Sequence, residues 1–136
     1  MTTTHPNPTI SIVIPLLNEE GNLKLLHQKL TDVLKPLAQP YEIIFINDGS
    51  SDNSAQIIDA LFEVDPAVQA IHFQQNFGKT AGLTAGFAHS RGDIIITMDA
   101  DLQDDPAEIP AMLDKLNDGQ KPSCLAAQAQ VRCIGD

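Results

Sequence analysis

Cysteine is scarce in this chain. Cys124 and Cys133 are the only two, and no Cys-x-x-Cys or Cys/His spacing accompanies them, so the sequence suggests neither a disulfide framework nor a zinc site. Basic residues are scarce as well: 8 Lys and Arg against 18 Asp and Glu give a net charge of −10. That balance opposes unaided binding to nucleic acid or to anionic lipid. An anionic ligand would need local help from a bound cation, a helix N-terminus or a few well-placed basic residues. Long hydrophobic runs are missing too, and none approaches the roughly 18 residues that span a bilayer. The polar start, residues 1–8, lacks the basic and apolar regions of a secretory signal, so a disordered N-terminus and a cytoplasmic location are expected. Internal repeats and low-complexity tracts are absent. What is present is a chain of 136 residues, 43% of them hydrophobic, enough for one domain that buries roughly two thirds of its unfolded surface.

Four βα units follow one another, each an apolar run, a turn rich in Asn, Asp, Gly or Ser, and a helical pattern. Strands are expected at 9–15, 41–47, 68–74 and from 94 to about 98. Helices are expected at about 20–34, 52–62, 79–89 and 106–116, the first with Leu23, Leu26, Leu30 and Val33 on one stripe. Strict alternation predicts an α/β fold with a mostly parallel sheet and right-handed crossovers. Residues 120–136 show neither strand alternation nor a capped helix and are expected to form a poorly ordered tail. An unpaired edge on the fourth strand would be an aggregation hazard, which suggests the front half of a longer protein.

The fourth strand carries the most chemistry. Ile94, Ile95, Ile96 and Thr97 read as a central strand buried on both faces, and the run ends abruptly in Asp99, Asp101 and Gln103. Ligands of open α/β sheets bind beyond the carboxyl ends of the strands. Residues two apart on extended chain share a side, so Asp99 and Asp101 can face one ion. Unpaired carboxylates do not sit in a dry core; hard oxygen donors in this pattern suit Mg²⁺ or Mn²⁺. The plainer alternative is a solvated loop in which Asp104 or Asp105 caps a helix that begins at Pro106.

The other strand ends bring polar turns to the same edge. Asn18, Glu19 and Glu20 can hydrogen-bond a base or ribose, or merely start a helix. Asp48 stands at the tip of the second strand, before Gly49, Ser50, Ser51 and Asp52, and can read a nucleobase or shape a turn. Gly78, Lys79 and Thr80 imitate a P-loop, but that motif requires glycine where Phe73 stands. Lys79 at a helix start still attracts phosphate, and Gly82 and Gly86 permit close approach of a ligand or of the sheet. Asp-Ala-Asp at a strand end also suggests a dehalogenase-like phosphatase nucleophile, against which Leu102 and Gln103 argue. His5, His27, His72 and His89 share no ligand spacing.

Together, Val-Ile-Pro-Leu-Leu-Asn-Glu (13–19), Asn-Asp-Gly-Ser-Ser-Asp (47–52), Asn-Phe-Gly-Lys (76–79) and Asp-Ala-Asp-Leu-Gln-Asp-Asp-Pro (99–106) resemble family 2 glycosyltransferases. The branch they are most similar to is the polyprenyl-phosphate sugar transferases. The resemblance covers residues 9–119 and implies the N-terminal half of a three-layer α/β/α, Rossmann-like GT-A domain that binds a UDP- or GDP-sugar. It implies that Pro15, Leu17, Asn18 and Glu19 line the nucleotide pocket, that Asp48 contacts the base and that Asn47 belongs to the nucleotide-sugar site. It further implies that Lys79 and Ala100 contact the diphosphosugar. Asp99 and Asp101 would be catalytic and, with Gln103, would hold Mg²⁺ or Mn²⁺. The implied reaction is inverting transfer to a polyprenyl phosphate at the cytoplasmic face of a membrane, with no nucleic-acid partner. The alternative is a non-catalytic nucleotide-binding or regulatory domain of the same fold.

Overall fold

The computed structural model describes residues 8–117 and 130–133. Five strands form one sheet: β1 (Ile10–Leu16), β2 (Tyr41–Asn47), β3 (Val68–His72), β4 (Ile94–Thr97) and β5 (Gln130–Cys133). Their order is β3-β2-β1-β4-β5, parallel from β3 to β4, with β5 antiparallel to β4. The helices are α1 (Leu23–Leu34), α2 (Ser54–Val64), α3 (Lys79–His89) and α4 (Ile109–Asn117), the last preceded by a 3-10 turn at Pro106–Glu108. None of the described helices is long and apolar enough to cross a membrane.

The strands bury both faces because they carry apolar residues at successive positions. Ile10, Ile12 and Ile14 of β1, Ile43 and Phe45 of β2 and Ile96 of β4 pack with Leu23, Leu26 and Leu30 of α1, Ile58 of α2 and Ile109 of α4. The alternate positions Val13, Ile44, Ile46 and Ile95 form a second cluster with Leu83 and Phe87 of α3. A period of two thus divides each strand between two layers of helices. Each fully buried Ile or Leu contributes roughly 1.5–3 kcal/mol relative to its exposed state.

Topology explains why α3, alone among the described helices, lies on its face. The chain moves outward from β1 to β2 to β3, then returns past β1 to β4. With crossovers of one hand, reversing direction places the intervening helix on the opposite side. Two glycines seat it there. A Cβ on Gly86 would stand 2.4 Å from Val13 Cγ1, and one on Gly82 would stand 3.2 Å from Pro15 Cβ. Helix–sheet packing is therefore what those glycines serve, and it fixes the height of Lys79 at the start of α3.

The expected elements are all present, several of them with shifted ends. α1 begins at Leu23 rather than near residue 20, because Asn18 adopts a left-handed backbone (φ 55°) and Asn22 N–H closes a turn onto Glu19 O at 2.9 Å. α2 begins at Ser54 rather than Asp52, and β3 stops at His72, two residues early. One expectation is corrected: within the presumed tail at 120–136, Gln130–Cys133 is a strand. Its pairing with Ile94–Thr97 supplies backbone partners to the outer edge of β4, which parallel pairing with β1 leaves unmet. The rest of that segment lies outside the described residues, as do residues 1–7 of the expected disordered start.

Candidate functional site

The reversal of strand order lies between β1 and β4, and at such a switch point the loops after neighbouring strands part and leave a crevice. A cavity of about 360 Å³ occupies it, lined by Pro15, Leu16, Leu17, Glu19, Asp48, Asn76, Gly78, Lys79, Asp99, Ala100 and Asp101. That volume falls within the roughly 300–1,000 Å³ of small-molecule sites. All four motifs contribute to it. Asp99 and Asp101 share the cavity with Glu19 and Asp48, as the strand-end argument requires.

Each acid there has a distinct setting. Asp48 is 6% exposed, and its two carboxylate oxygens accept from Phe77 N–H at 2.7 Å and Gly78 N–H at 3.0 Å. It therefore anchors the β3–α3 turn while lining the cavity. Asp99 accepts at Oδ1 from Lys79 Nζ at 2.7 Å, with both side chains substantially exposed (48% and 62%). Asp101 is exposed; its Oδ1 accepts from Gln103 N–H at 3.1 Å.

The turn that aims these carboxylates is strained and braced. Leu102 takes a left-handed backbone (φ 67°), which costs a non-glycine residue about 1–2 kcal/mol, and its side chain is held against the core. Asp104, 7% exposed, folds back so that Oδ2 accepts from Asp99 N–H at 3.1 Å. Burial pushes the Asp104 carboxyl above its ordinary value; the Asp99 N–H opposes this, and the charges of Asp99 and Asp101 add to it. The cap of the following turn is Asp105, whose Oδ1 accepts from Ala107 N–H at 3.0 Å, with Pro106 in the first helical turn. Capping and a cavity-lining carboxylate pair thus coexist, on different aspartates. Sequence reasoning missed Asp104 as a brace, since its only visible signal is a second acid beside the capping one.

Three expected site residues lie outside the cavity wall. Asn18 Oδ1 accepts from Ser51 N–H at 2.8 Å and Asp52 N–H at 3.2 Å, while Asn18 N–H donates to Ser50 Oγ at 2.9 Å. Ser54 Oγ accepts from Glu19 N–H at 3.0 Å. These bonds zip the β1–α1 and β2–α2 turns together, so Asn18 shapes the rim. Burial would raise the Asp52 carboxyl, but hydrogen bonds from Ser54 and from Glu20 N–H outweigh it and hold Asp52 below its ordinary value, which keeps it an acceptor in the zip. Asn47 is buried and contacts His72 Nδ1 at 3.1 Å, with Oδ1 accepting from Ser50 N–H at 3.0 Å. Gln103 is exposed and reaches Asp101 through its backbone N–H. Gly49 completes the rim: at φ 76°, a Cβ would stand 2.5 Å from the backbone carbon of Gln75.

Could these groups hold a divalent cation? Among the described residues no three His, Cys, Asp or Glu side chains form a metal cluster by themselves. Two hard, exposed carboxylates on one wall do fit an ion of the Mg²⁺ class, which takes one or two carboxylates and completes its shell with water and substrate phosphate. A larger concavity, about 530 Å³, lies at the opposite end of β2 and β3, lined in part by His27, Lys35, Tyr41 and Asp65. Its one acid is already engaged, Asp65 Oδ2 with His27 at 2.8 Å and Oδ1 with Ala67 N–H at 2.9 Å.

The model of the family "Glycosyl transferase family 2" matches residues 11–131. Undecaprenyl-phosphate 4-deoxy-4-formamido-L-arabinose transferase of Pseudomonas fluorescens is 46% identical over 112 residues, covering 82% of this chain and 33% of that protein. Two solved structures share the fold. A mannosyltransferase from Pyrobaculum calidifontis in complex with GDP-Man and Mn²⁺ superposes with a TM-score of 0.63 at 21% identity, over 70% of this chain and 28% of that one. Glucosyl-3-phosphoglycerate synthase from Mycobacterium tuberculosis, in complex with Mn²⁺, UDP and phosphoglyceric acid, gives 0.64 at 25% identity, over 80% and 39%. The chain thus spans about a third of the length of the curated relative it matches.

Proposed function

The chain belongs to glycosyl transferase family 2, and from that premise we propose that it forms the donor-binding part of an enzyme that transfers a sugar, with inversion, from a nucleotide diphosphosugar to a polyprenyl phosphate. The observation that carries this reading is the meeting of Glu19, Asp48, Lys79, Asp99 and Asp101 on one cavity at the switch point. Relatives named for undecaprenyl phosphate and solved with GDP-Man, UDP and Mn²⁺ support it.

Each residue then has a task. Pro15, Leu17 and Glu19 cradle the nucleoside, with Asn18 and Asn47 holding the turns that shape the rim. Asp48 accepts from the base through lone pairs left over from its two backbone bonds. Asp99 and Asp101 would hold the divalent cation, with Gln103 as the further oxygen ligand expected from the sequence. Ala100, between them, leaves room for the sugar diphosphate. When bound, the cation neutralises the diphosphate leaving group, an effect worth several kcal/mol. A lipid phosphate acceptor is already anionic, so attack on the sugar carbon requires no general base. Such an acceptor places the reaction at the cytoplasmic face of a membrane.

Calorimetry with UDP and GDP, with and without Mn²⁺, tests donor binding, and transfer of a radiolabelled sugar to polyprenyl phosphate tests turnover. Binding of one nucleotide that disappears on chelation is the expected result. Absence of nucleotide binding at saturating Mn²⁺ overturns the reading; metal-dependent binding with no transfer points to a non-catalytic nucleotide-binding domain or to a donor-binding part that needs the rest of the enzyme.

A further inference from the structure

The geometry points to Lys79 as an exchangeable counter-ion: it neutralises Asp99 in the free protein and moves onto the donor's diphosphate when a divalent cation takes its place. This inference rests on the donor-binding reading above. Its starting point is the 2.7 Å contact between Lys79 Nζ and Asp99 Oδ1. Both partners are largely exposed, and ion pairs in such surroundings are weak and readily exchanged.

The backbone around Lys79 is fixed while its side chain is not. Asp48 grips the two preceding amides, Phe77 and Gly78. Downstream, Gly82 and Gly86 seat α3 closely against β1, where a Cβ on Gly86 would stand 2.4 Å from Val13 Cγ1. Lys79 is the first residue of that helix, so its ammonium swings on a four-carbon stem from a rigid base. Further carboxylates of the same short turn stand beside its partner: Asp99 shares the cavity wall with Asp101, and Asp104 is bonded to the Asp99 amide. Clustered acids in a chain of net charge −10 need a positive partner, and Lys79 supplies it.

A divalent cation bound to Asp99 would stand a few ångströms from that ammonium, and like charges so close repel. Lys79 therefore yields when the metal arrives. The freed ammonium, at a helix N-terminus, then faces the anionic donor with the helix dipole behind it. One side chain thus opposes the metal when it comes alone and favours the metal–nucleotide complex.

The two effects have opposite signs, which makes the idea testable without turnover. Uptake of Mn²⁺ alone, read from the loss of its free electron-paramagnetic-resonance signal, is compared for the full chain and Lys79→Met. Expected is about two- to fivefold tighter Mn²⁺ binding in the variant. Calorimetry with UDP or GDP at saturating Mn²⁺ is expected to show nucleotide binding weakened on the order of tenfold. Lys79→Arg, which keeps the charge, should restore both. Unchanged or weaker Mn²⁺ uptake in Lys79→Met, with wild-type protein binding Mn²⁺–nucleotide normally, overturns the counter-ion role and leaves donor binding intact. No nucleotide binding by wild type overturns the donor reading and this inference with it.

Discussion

At the amino-terminal end of the strands, Glu42 is 2% exposed and its Oε2 accepts from Ser11 Oγ at 2.6 Å and Arg91 N–H at 2.7 Å. At the carboxyl-terminal end, Asp99 and Asp101 are exposed or half-exposed, and their partners are a mobile-stemmed lysine and a single backbone amide. Both sets are carboxylates on one sheet. Glu42 is committed to its own chain, joining β1, β2 and the lead into β4, with Ser11 Oγ also accepting from Gly92 N–H at 2.9 Å. Asp99 and Asp101 keep acceptor capacity on the cavity wall. Burial separates the two: at 2% exposure Glu42 lies beyond a ligand's reach, whereas Asp99 and Asp101 open onto the cavity.

That contrast can be broken at either end, and the largest effect is expected at the cavity. Asp101→Asn should abolish Mn²⁺-dependent nucleotide binding by calorimetry while leaving the melting temperature nearly unchanged, because an exposed carboxylate adds little to folding. A large fall in melting temperature would show that Asp101 is structural after all. Glu42→Ala should do the reverse. Stranding the Ser11 hydroxyl and the Arg91 amide costs about 2–4 kcal/mol in a urea melt, with nucleotide affinity per folded molecule preserved.

Smaller effects sharpen the comparison. Gly86→Ala forces a methyl to within 2.4 Å of Val13 Cγ1, so α3 must lift, at about 1–3 kcal/mol of stability. Because α3 carries Lys79, nucleotide binding should weaken as well, and a variant that loses stability alone would uncouple helix seating from the site. The smallest effect concerns Tyr41, at the amino-terminal end. Burial raises its phenol above the ordinary value, and the nearby Asp65 charge adds to this. A raised folded-state value favours the protonated form, so its contribution is complete below the ordinary tyrosine range near 10 and is lost as pH climbs through the higher folded value. Urea midpoints from pH 9 to 11 should therefore fall less steeply in Tyr41→Phe than in wild type; parallel curves would remove Tyr41 from the account.

Much of this was legible in the chain itself. Ile-Ser-Ile-Val-Ile-Pro-Leu and Ile-Ile-Ile-Thr announce strands buried on both sides, and α3 begins and ends where its sequence suggests, at Lys79 and His89. The parallel α/β architecture follows from their alternation. That Asp99, Asp101, Asp48 and Glu19 line one cavity was readable, since each follows an apolar run at a strand end. Less legible were the zip between Asn18 and Ser51, whose partners lie 33 residues apart, and the brace from Asp104. β5 was unreadable, because a four-residue antiparallel strand has its reason in the edge it covers rather than in its own pattern.

Local sequence determined the elements and the chemistry of their ends, because period-two burial, glycine and acidic turn residues act within a few residues of themselves. Only the tertiary structure decided which of those acids serve the fold and which remain open. That outcome depends on the strand order β3-β2-β1-β4-β5, which gathers the ends of β1, β2 and β4 around one crevice and leaves Glu42 buried at the other end of the sheet.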